Sequence, residues 1–494
     1  MLEAFEIWYS SKNIYSKYLK FRLILSRNEC VEQNISSSSR TNANHIVLRV
    51  SFIAALAGLL FGLDVAYVNG TLDFIVQEFN LSIADSGKVA GYLLAGAATG
   101  ALFSGWLSRK FGRKKVLILA ALAFTGSILF TISTHTFDIF LIGRFATGIA
   151  VGIASFVAPL YLSEIAPFKS RGALIAMYQL MITIGIFAMF ISNALLSHTG
   201  SWRIMLAVLL IPSIVMLLSS FTLPESPRWV ILKGNHDHAL SILSRIRHNK
   251  EEIEVEFNDI KKNVQNKTGG LKILTSGYFK KVIILGIMLQ CLQQFTGINA
   301  FMYYSQKIFA TAGFTNPTVS TIIVGLVNVL TTIVAIKFVD KIGRKPILYF
   351  GLTILTLSCM VVGYIFNSHM NGSMLSSSEQ YTLLTFCLLF IFGFAVSLGP
   401  IIWIVCAEIF PLESRDLGIT ITTMANWVFN AIIGQYTLIW FNSMGVGQTF
   451  YMFALAGLIG FILVNLFTPE TKNITLEEIE TNLKAGRALR HIGN

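Results

Sequence analysis

The chain has 494 residues, of which 54% are hydrophobic and 13% charged, with a mean hydropathy of +0.65. A water-soluble chain carries about 25% charged residues and has too little interior to hide this much apolar surface, so lipid is the solvent for most of it. The net charge of +12 does not form a basic domain of the kind that binds nucleic acid. Five cysteines, an odd number with all but Cys30 in apolar segments, exclude a secreted disulfide scaffold.

In chain order, residues 1–45 are polar, contain Ser36–Ser39 followed by Arg-Thr-Asn-Ala-Asn, and lack the apolar core of a secretory signal. They are expected to form a flexible cytoplasmic tail. Six apolar runs of spanning length follow, at about 47–70, 87–107, 116–132, 139–162, 173–195 and 204–223. A polar stretch over 225–277 places Leu240, Leu243, Ile246, Ile253, Phe257, Ile260 and Val264 at near-helical spacing, which predicts short amphipathic helices. Within it, His236-Asp237-His238 has an i,i+2 spacing that splits the two imidazoles across a helix face, so it is expected to be a solvated loop and no metal site. Six further runs lie at about 282–309, 319–339, 347–366, 381–409, 417–441 and 450–467.

Apolarity sustained over ~20 residues excludes barrel strands, which alternate. The expected fold is an all-α membrane protein of twelve transmembrane helices in two six-helix halves. Its parts are the tail 1–45, a first half 46–224, a cytoplasmic linker 225–279, a second half 280–468 and a cytoplasmic tail 469–494.

Lysine and arginine orient the chain. The loop after the second run carries Arg109, Lys110, Arg113, Lys114 and Lys115, the central segment carries eleven basic residues from Arg228 to Lys281, and the loop after the eighth run carries Lys341, Arg344 and Lys345. Stretches 71–84, 367–380 and 442–449 carry none of either residue. Positive loops stay inside, so both termini and the linker are expected in the cytoplasm of a cell whose inner membrane holds the protein.

The chain also repeats itself. Phe111-Gly112-Arg113-Lys114 returns as Ile342-Gly343-Arg344-Lys345, Ser163-Glu164-Ile165-Ala166-Pro167 with Arg171 returns as Ala407-Glu408-Ile409-Phe410-Pro411 with Arg415, and Pro224-Glu225-Ser226 returns as Pro469-Glu470-Thr471. Three signals in one order at nearly one offset mean duplicated halves, a transporter architecture with the substrate near the midplane between them.

Two ionisable residues lie deepest in the spans, Asp64 in the first and Arg144 in the fourth. At ~1.5 Å per residue Asp64 lies ~25 Å from the inner start of its helix and Arg144 ~9 Å from the outer start of its own, so the two reach similar depths in a ~30 Å core. A buried carboxylate alone holds its proton, and a neighbouring guanidinium favours releasing it. Asp64 is therefore the expected proton carrier and Arg144 the residue that tunes it. Neither has a counterpart in the second half.

The second half instead carries neutral amides and a tryptophan where lipid would not tolerate them: Gln293, Gln294, Asn299, Asn328, Trp403 and Asn426, joined by Gln179 from the fifth run. Amides both donate and accept, which suits a polyhydroxylated ring, and an aromatic face suits its apolar side. Gln293 and Gln294 point ~100° apart on a straight helix, and Gly297 lets that helix bend; Asn299 and Tyr303 share a face. Gly399-Pro400 is the expected flexible point before Trp403.

Gly143-Arg144, the two glycine-arginine-lysine loops, Pro224-Glu225-Ser226-Pro227-Arg228-Trp229 and Pro469-Glu470-Thr471-Lys472 resemble the sugar porter family of the major facilitator superfamily. Tyr178-Gln179-Leu180-Met181-Ile182-Thr183-Ile184-Gly185 and Gln293-Gln294-Phe295-Thr296-Gly297-Ile298-Asn299 are similar to its bacterial galactose– and arabinose–proton symporters. The resemblance covers about residue 46 to the C-terminus. It implies sugar contacts at Gln179, Gln293, Gln294, Asn299, Trp403 and Asn426, and an acid at Asp64 where facilitative glucose transporters are neutral. Asn426 stands where xylose-type symporters carry Gln.

The expected function is import of a monosaccharide, a hexose such as galactose or glucose or else arabinose, by proton symport through alternating access. The alternatives are a facilitative uniporter and a non-transporting sensor. No Walker loop, metal cluster or nucleophile constellation points to an enzyme, and no cofactor is expected. The expected partners are the sugar, the proton and membrane lipid, with the monomer as the working unit. Arg109, Arg113, Glu164 and Arg171 in one half, mirrored by Arg344, Glu408 and Arg415 in the other, are expected to form a cytoplasmic gate whose ion pairs join the halves while the outer side is open.

Overall fold

A computed structural model describes residues 46–167, 171–247, 249–265, 276–369, 375–411, 414–472 and 474–493. The N-terminal tail, including Cys30, and the Arg171 side chain lie outside the described residues. Among the described residues, twelve helices are long and apolar enough to cross a membrane. The first six are α1 (Ile46–Phe79), α2 (Ile83–Phe111), α3 (Arg113–Ile132), α4 (Phe137–Ile165), α5 (Arg171–Leu196) and α6 (Trp202–Ser220). Three short helices follow, α7 (Pro227–Leu232), α8 (His236–Ile246) and α9 (Lys250–Gln265). The last six spans are α10 (Gly277–Thr311), α11 (Pro317–Ile342), α12 (Arg344–Ser368), α13 (Ser377–Ile409), α14 (Arg415–Ser443) and α15 (Val446–Phe467), and α16 (Leu476–Lys484) closes the chain.

The spans form two successive groups of six, one on either side of α7, α8 and α9. Within the first, α2 packs along α4: Gly96 and Gly100 press against carbonyls of α4, and Gly148 and Gly152 against carbonyls of α2. Lipid gives helices no hydrophobic reason to associate, so close backbone approach over small residues supplies the dispersion contact. Within the second group α12 packs along α15 in the same way. The main seams between groups are α2 with α14 and α5 with α11.

Three expectations change. Helix α1 runs to Phe79 rather than ending near residue 70. Its extra turns are amphipathic, with Ile75 buried and Asp73 exposed, and Glu78 pins their end by accepting from Trp202 Nε1 at 2.7 Å and from both terminal nitrogens of Arg203. The His236-Asp237-His238 stretch is not a loop. It opens α8, whose N-cap Asn235 accepts from the His238 backbone N–H, and the His236 ring packs edge-on against Phe257. The break in α13 falls at Ser397, whose hydroxyl bonds back to Gly393 O at 2.6 Å, rather than at Gly399-Pro400. Pro400 sits in the first turn of the restarted helix, where a missing N–H costs nothing.

Candidate functional site: a buried ion pair, an amide cluster and two end modules

The path of α1 and α4 brings Asp64 and Arg144 together. Arg144 Nη1 donates to Asp64 Oδ1 at 2.7 Å, and both side chains are fully buried. The pair is held by one hydrogen bond rather than the two-pronged fork that makes such pairs strongest. Asp64 Oδ2 and Arg144 Nε and Nη2 have no hydrogen-bond partner among the described residues. The guanidinium lies over the Tyr67 ring, 5.1 Å from its centroid, one turn along α1 from the carboxylate. A carboxylate with one oxygen engaged and the other open can exchange a proton without dismantling a network, and the aromatic face offers the cation a second contact.

The clustered amides of the second half lie on α10 and α14 and meet the backbone of α13. Gly297 adopts φ +88°, which breaks α10 between Phe295 and Ile298, and its α-carbon abuts the Phe453 ring, so both backbone and space call for glycine. Around the break, Asn426 Nδ2 donates to Gln293 Oε1 at 2.7 Å and to Gln290 Oε1 at 2.6 Å. Gln293 Nε2 donates to Leu398 O at 2.7 Å beside the α13 break, and Asn299 Nδ2 to Gln294 Oε1 at 2.6 Å. The weaker contact from Gln294 Nε2 to Gln293 Oε1 is 3.4 Å. The adjacent glutamines therefore do reach one cluster, by the bend their sequence permits. Amides that bond one another satisfy each other's polar groups inside an apolar bundle.

Three expected sugar contacts stand outside this network. Gln179 is half-buried on α5, Asn328 is buried on α11 with its carbonyl accepting from Thr332, and Trp403 on α13 is 37% exposed. Gln290 is a member of the cluster that sequence reasoning missed. Its signal was present, a third amide one turn before Gln293 in an otherwise apolar helix, and it also donates weakly to Cys406 Sγ at 3.7 Å.

At the basic face the repeated motifs fold into two matching modules. Arg113 grips Glu164 with Nε and Nη2, both at 2.7 Å, and Ser226 Oγ donates to the same carboxylate. Arg344 grips Glu408 at 3.3 and 2.8 Å, and Thr471 takes the place of Ser226. Glu225 accepts from the backbone N–H groups of Arg113 and Lys114, and Glu470 from those of Arg344 and Lys345. Each carboxylate thus satisfies otherwise orphaned donors at a helix start, where the dipole favours negative charge. Gly112 and Gly343, at φ +93° and +109°, leave the space these carboxylates occupy. Burial works against ionisation of Glu470, but the N–H donors of Arg344, Lys345, Lys472 and Thr471 outweigh it and hold the carboxyl below its ordinary range.

Ion pairs at this face were expected to join the halves while the outer side is open. In the structure Arg113–Glu164 and Arg344–Glu408 each close within one half, because the partner glutamates end helices that pack directly against the arginine-bearing turns. Arg109 makes neither pair; its carbonyl accepts from Trp229 Nε1 at 2.9 Å, and Arg415 opens α14. A further cation, Arg247, was not singled out. It holds Glu256 at 2.6 and 2.8 Å and donates to the carbonyls of Ile165 and Ala166, capping α4 and docking the linker helices.

A membrane-embedded pair of six-helix groups with polar residues at mid-depth defines a secondary transporter. Residues 50–483 match the family described as "Sugar (and other) transporter", and the chain belongs to that family. It is 45% identical over 448 residues to the galactose-proton symporter of Escherichia coli (strain K12), covering 90% of this chain and 96% of that one. It is 41% identical over 468 residues to the arabinose-proton symporter of the same strain, covering 94% and 98%. Among solved structures it is similar to the inward-open conformation of the xylose transporter XylE from E. coli, with a TM-score of 0.76, 29% identity, and coverage of 88% of this chain and 99% of that one.

Proposed function

We propose that this chain imports a monosaccharide together with a proton, as a monomer, across a bacterial cytoplasmic membrane, with both termini and the linker on the cytoplasmic side. The substrate is a hexose such as galactose or glucose, or arabinose, in keeping with the names of the galactose and arabinose symporters it resembles. The observation that carries the reading is the Asp64–Arg144 pair, sealed inside the first half and joined by one hydrogen bond. An ion pair at membrane depth is expensive to bury, and a merely structural contact between α1 and α4 is made at lower cost by packing.

In the cycle, Asp64 takes a proton when Arg144 moves off and releases it when the pair re-forms. Sugar hydroxyls replace the amide–amide bonds of Gln290, Gln293, Gln294, Asn299 and Asn426, with Gln179, Asn328 and Trp403 closing in from neighbouring helices. Arg109, Arg113, Glu164, Arg171, Arg344, Glu408 and Arg415 form the cytoplasmic gate, each half of which moves as a unit because its ion pair is internal. The test is uptake of labelled galactose, glucose and arabinose into vesicles given an inward proton gradient, with and without a protonophore. Accumulation above equilibrium that collapses with the protonophore supports symport, whereas unchanged equilibration means a uniporter.

A further inference from the structure

Helix α1 is held differently on its two sides. Toward α5 the backbones touch: Gly58 lies against Tyr178 O, Gly62 against Ile182 O and, from the other helix, Gly185 against Leu59 O, with no room for a β-carbon at any of the three. Asn193 of α5 adds a buried polar tie, its Nδ2 donating to Ala66 O at 3.1 Å and its side chain resting on Gly70. An amide bonded to a backbone carbonyl fixes height as well as distance, because sliding along the axis breaks the bond. Asp64, and Gln179 beside Tyr178, therefore ride on one interlocked pair of helices.

On the opposite side α1 stands off. Ala57 and Leu60 of α1, Ala121 of α3 and Val151 and Ala154 of α4 line a small apolar gap, and the Asp64–Arg144 bond spans from α1 to α4 about one turn further out. Apolar walls facing a gap forgo the dispersion contacts of close packing, so closing it is favourable once nothing braces it open. The ion pair, two side chains end to end between the helices, is that brace.

The outer ends of the pair are pinned. Glu78 accepts from Trp202 and Arg203, and Asn69 Nδ2 donates to Met302 O and Ser305 Oγ of α10, both at 2.7 Å. On α5, Phe187 and Phe190 abut Gly325 of α11. The motion left to the pair is a lean about these ends. Counted from Asn69, Leu60 lies about 13 Å inward and the start of α1 about 33 Å, so a displacement at the gap is more than doubled at the inner end.

We propose that the gap is the space into which α1 and α5 lean together when the Asp64–Arg144 bond opens, with Asn193 the positioning residue that makes α5 and its Gln179 follow α1. The link to sugar movement rests on the transport reading above, and the test separates the two. Spin labels at Arg49→Cys and Lys115→Cys, exposed at the inner ends of α1 and α3, report the gap; Arg49→Cys with Leu174→Cys, half-buried on α5, reports the seam. The full chain is placed in lipid nanodiscs without sugar, its native cysteines replaced by alanine, and distances are read from dipolar broadening. Asp64→Asn and Arg144→Gln are each expected to shorten the first distance and leave the second unchanged. Adding Asn193→Ala to Asp64→Asn is expected to lengthen the second, because α1 then leans alone. Ala154→Val fills the gap: it is expected to keep the first distance long even beside Asp64→Asn, to leave Tm unchanged or higher, and to lower kcat for uptake about 5- to 150-fold, since overpacking falls on the leaned state.

A first distance unchanged in both Asp64→Asn and Arg144→Gln would overturn the lean. Should neither variant insert, an Ala154→Val protein with full kcat overturns it instead. A second distance that lengthens in Asp64→Asn alone overturns the shared motion and the role of Asn193. A chain that shows the shortening yet imports no sugar defeats the transport reading and upholds the lean, whereas one that imports sugar with both distances fixed does the reverse.

Discussion

The two halves share their ends and differ in their middles. At the basic face each half carries an arginine–glutamate grip, a hydroxyl on the same glutamate, and a second glutamate seated on a helix start. At mid-depth the first half holds a buried charge pair and the second a set of neutral amides. The end modules repeat almost residue for residue in the two halves. On the proposed function the mid-depth parts diverged because a proton and a sugar demand opposite chemistry: one a site that changes charge, the other donors and acceptors that never do.

The sharpest way to break this division is at Asp64. Asp64→Asn keeps the shape and removes the titration, so proton-driven accumulation is expected to fall to equilibrium while sugar exchange across equilibrated vesicles persists. Arg144→Leu removes the cation bonded to Asp64 Oδ1, on which the proposed proton exchange depends. Its uptake is expected to lose dependence on pH, measured between pH 5 and 8.

The second half is expected to answer in affinity rather than in coupling. Asn426→Ala removes donors to two glutamines, and at roughly 1–3 kcal/mol for a buried hydrogen-bonding group left unsatisfied the sugar KM should rise about 5- to 150-fold with accumulation still proton-dependent. Gln290→Ala removes one of those acceptors, and a smaller rise is expected.

The end modules test whether the halves are energetically equal. The Arg113–Glu164 pair has side chains 10% and 2% exposed, the Arg344–Glu408 pair 11% and 21%. Arg113→Ala strands the more buried carboxylate and is expected to destabilise by about 3–5 kcal/mol, Arg344→Ala by about 1–2 kcal/mol after allowance for solvent around Glu408. Thermal unfolding in detergent measures both, and equal losses would erase the distinction.

The smallest effect concerns pH. Glu470, held below the ordinary carboxylate range, contributes stability that is present above that range and is lost as the pH falls through its folded value. Glu470→Gln is therefore expected to lower Tm slightly at pH 7 and to flatten its decline toward pH 4.

Much of this was legible one residue at a time. A span announces itself by length and apolarity, a duplicated motif by its repetition, and an ionisable residue in oil by its cost. Gln290 was overlooked beside the adjacent Gln293-Gln294, although a third amide one turn earlier carried the same signal. Asn69 was invisible in another way. An amide near the end of a span has many ordinary partners, and nothing in its neighbours on the chain says that it reaches a turn of α10 more than two hundred residues away. The gate pairs show the limit as well, since glycine-arginine-lysine and the distant glutamates fix charge and side of the membrane but not which half each arginine meets.

By itself the sequence determined the twelve spans, their likeness in two groups and the residue types at mid-depth, because hydropathy and the energetic penalty of burying polar atoms act locally. Only the tertiary structure decided that Arg144 engages Asp64 through a single bond, that the amides close on one another, and that Asn69 bridges the halves. Those outcomes depend on which helix faces meet and at what height, and that is set by close packing across the whole bundle rather than by any segment alone.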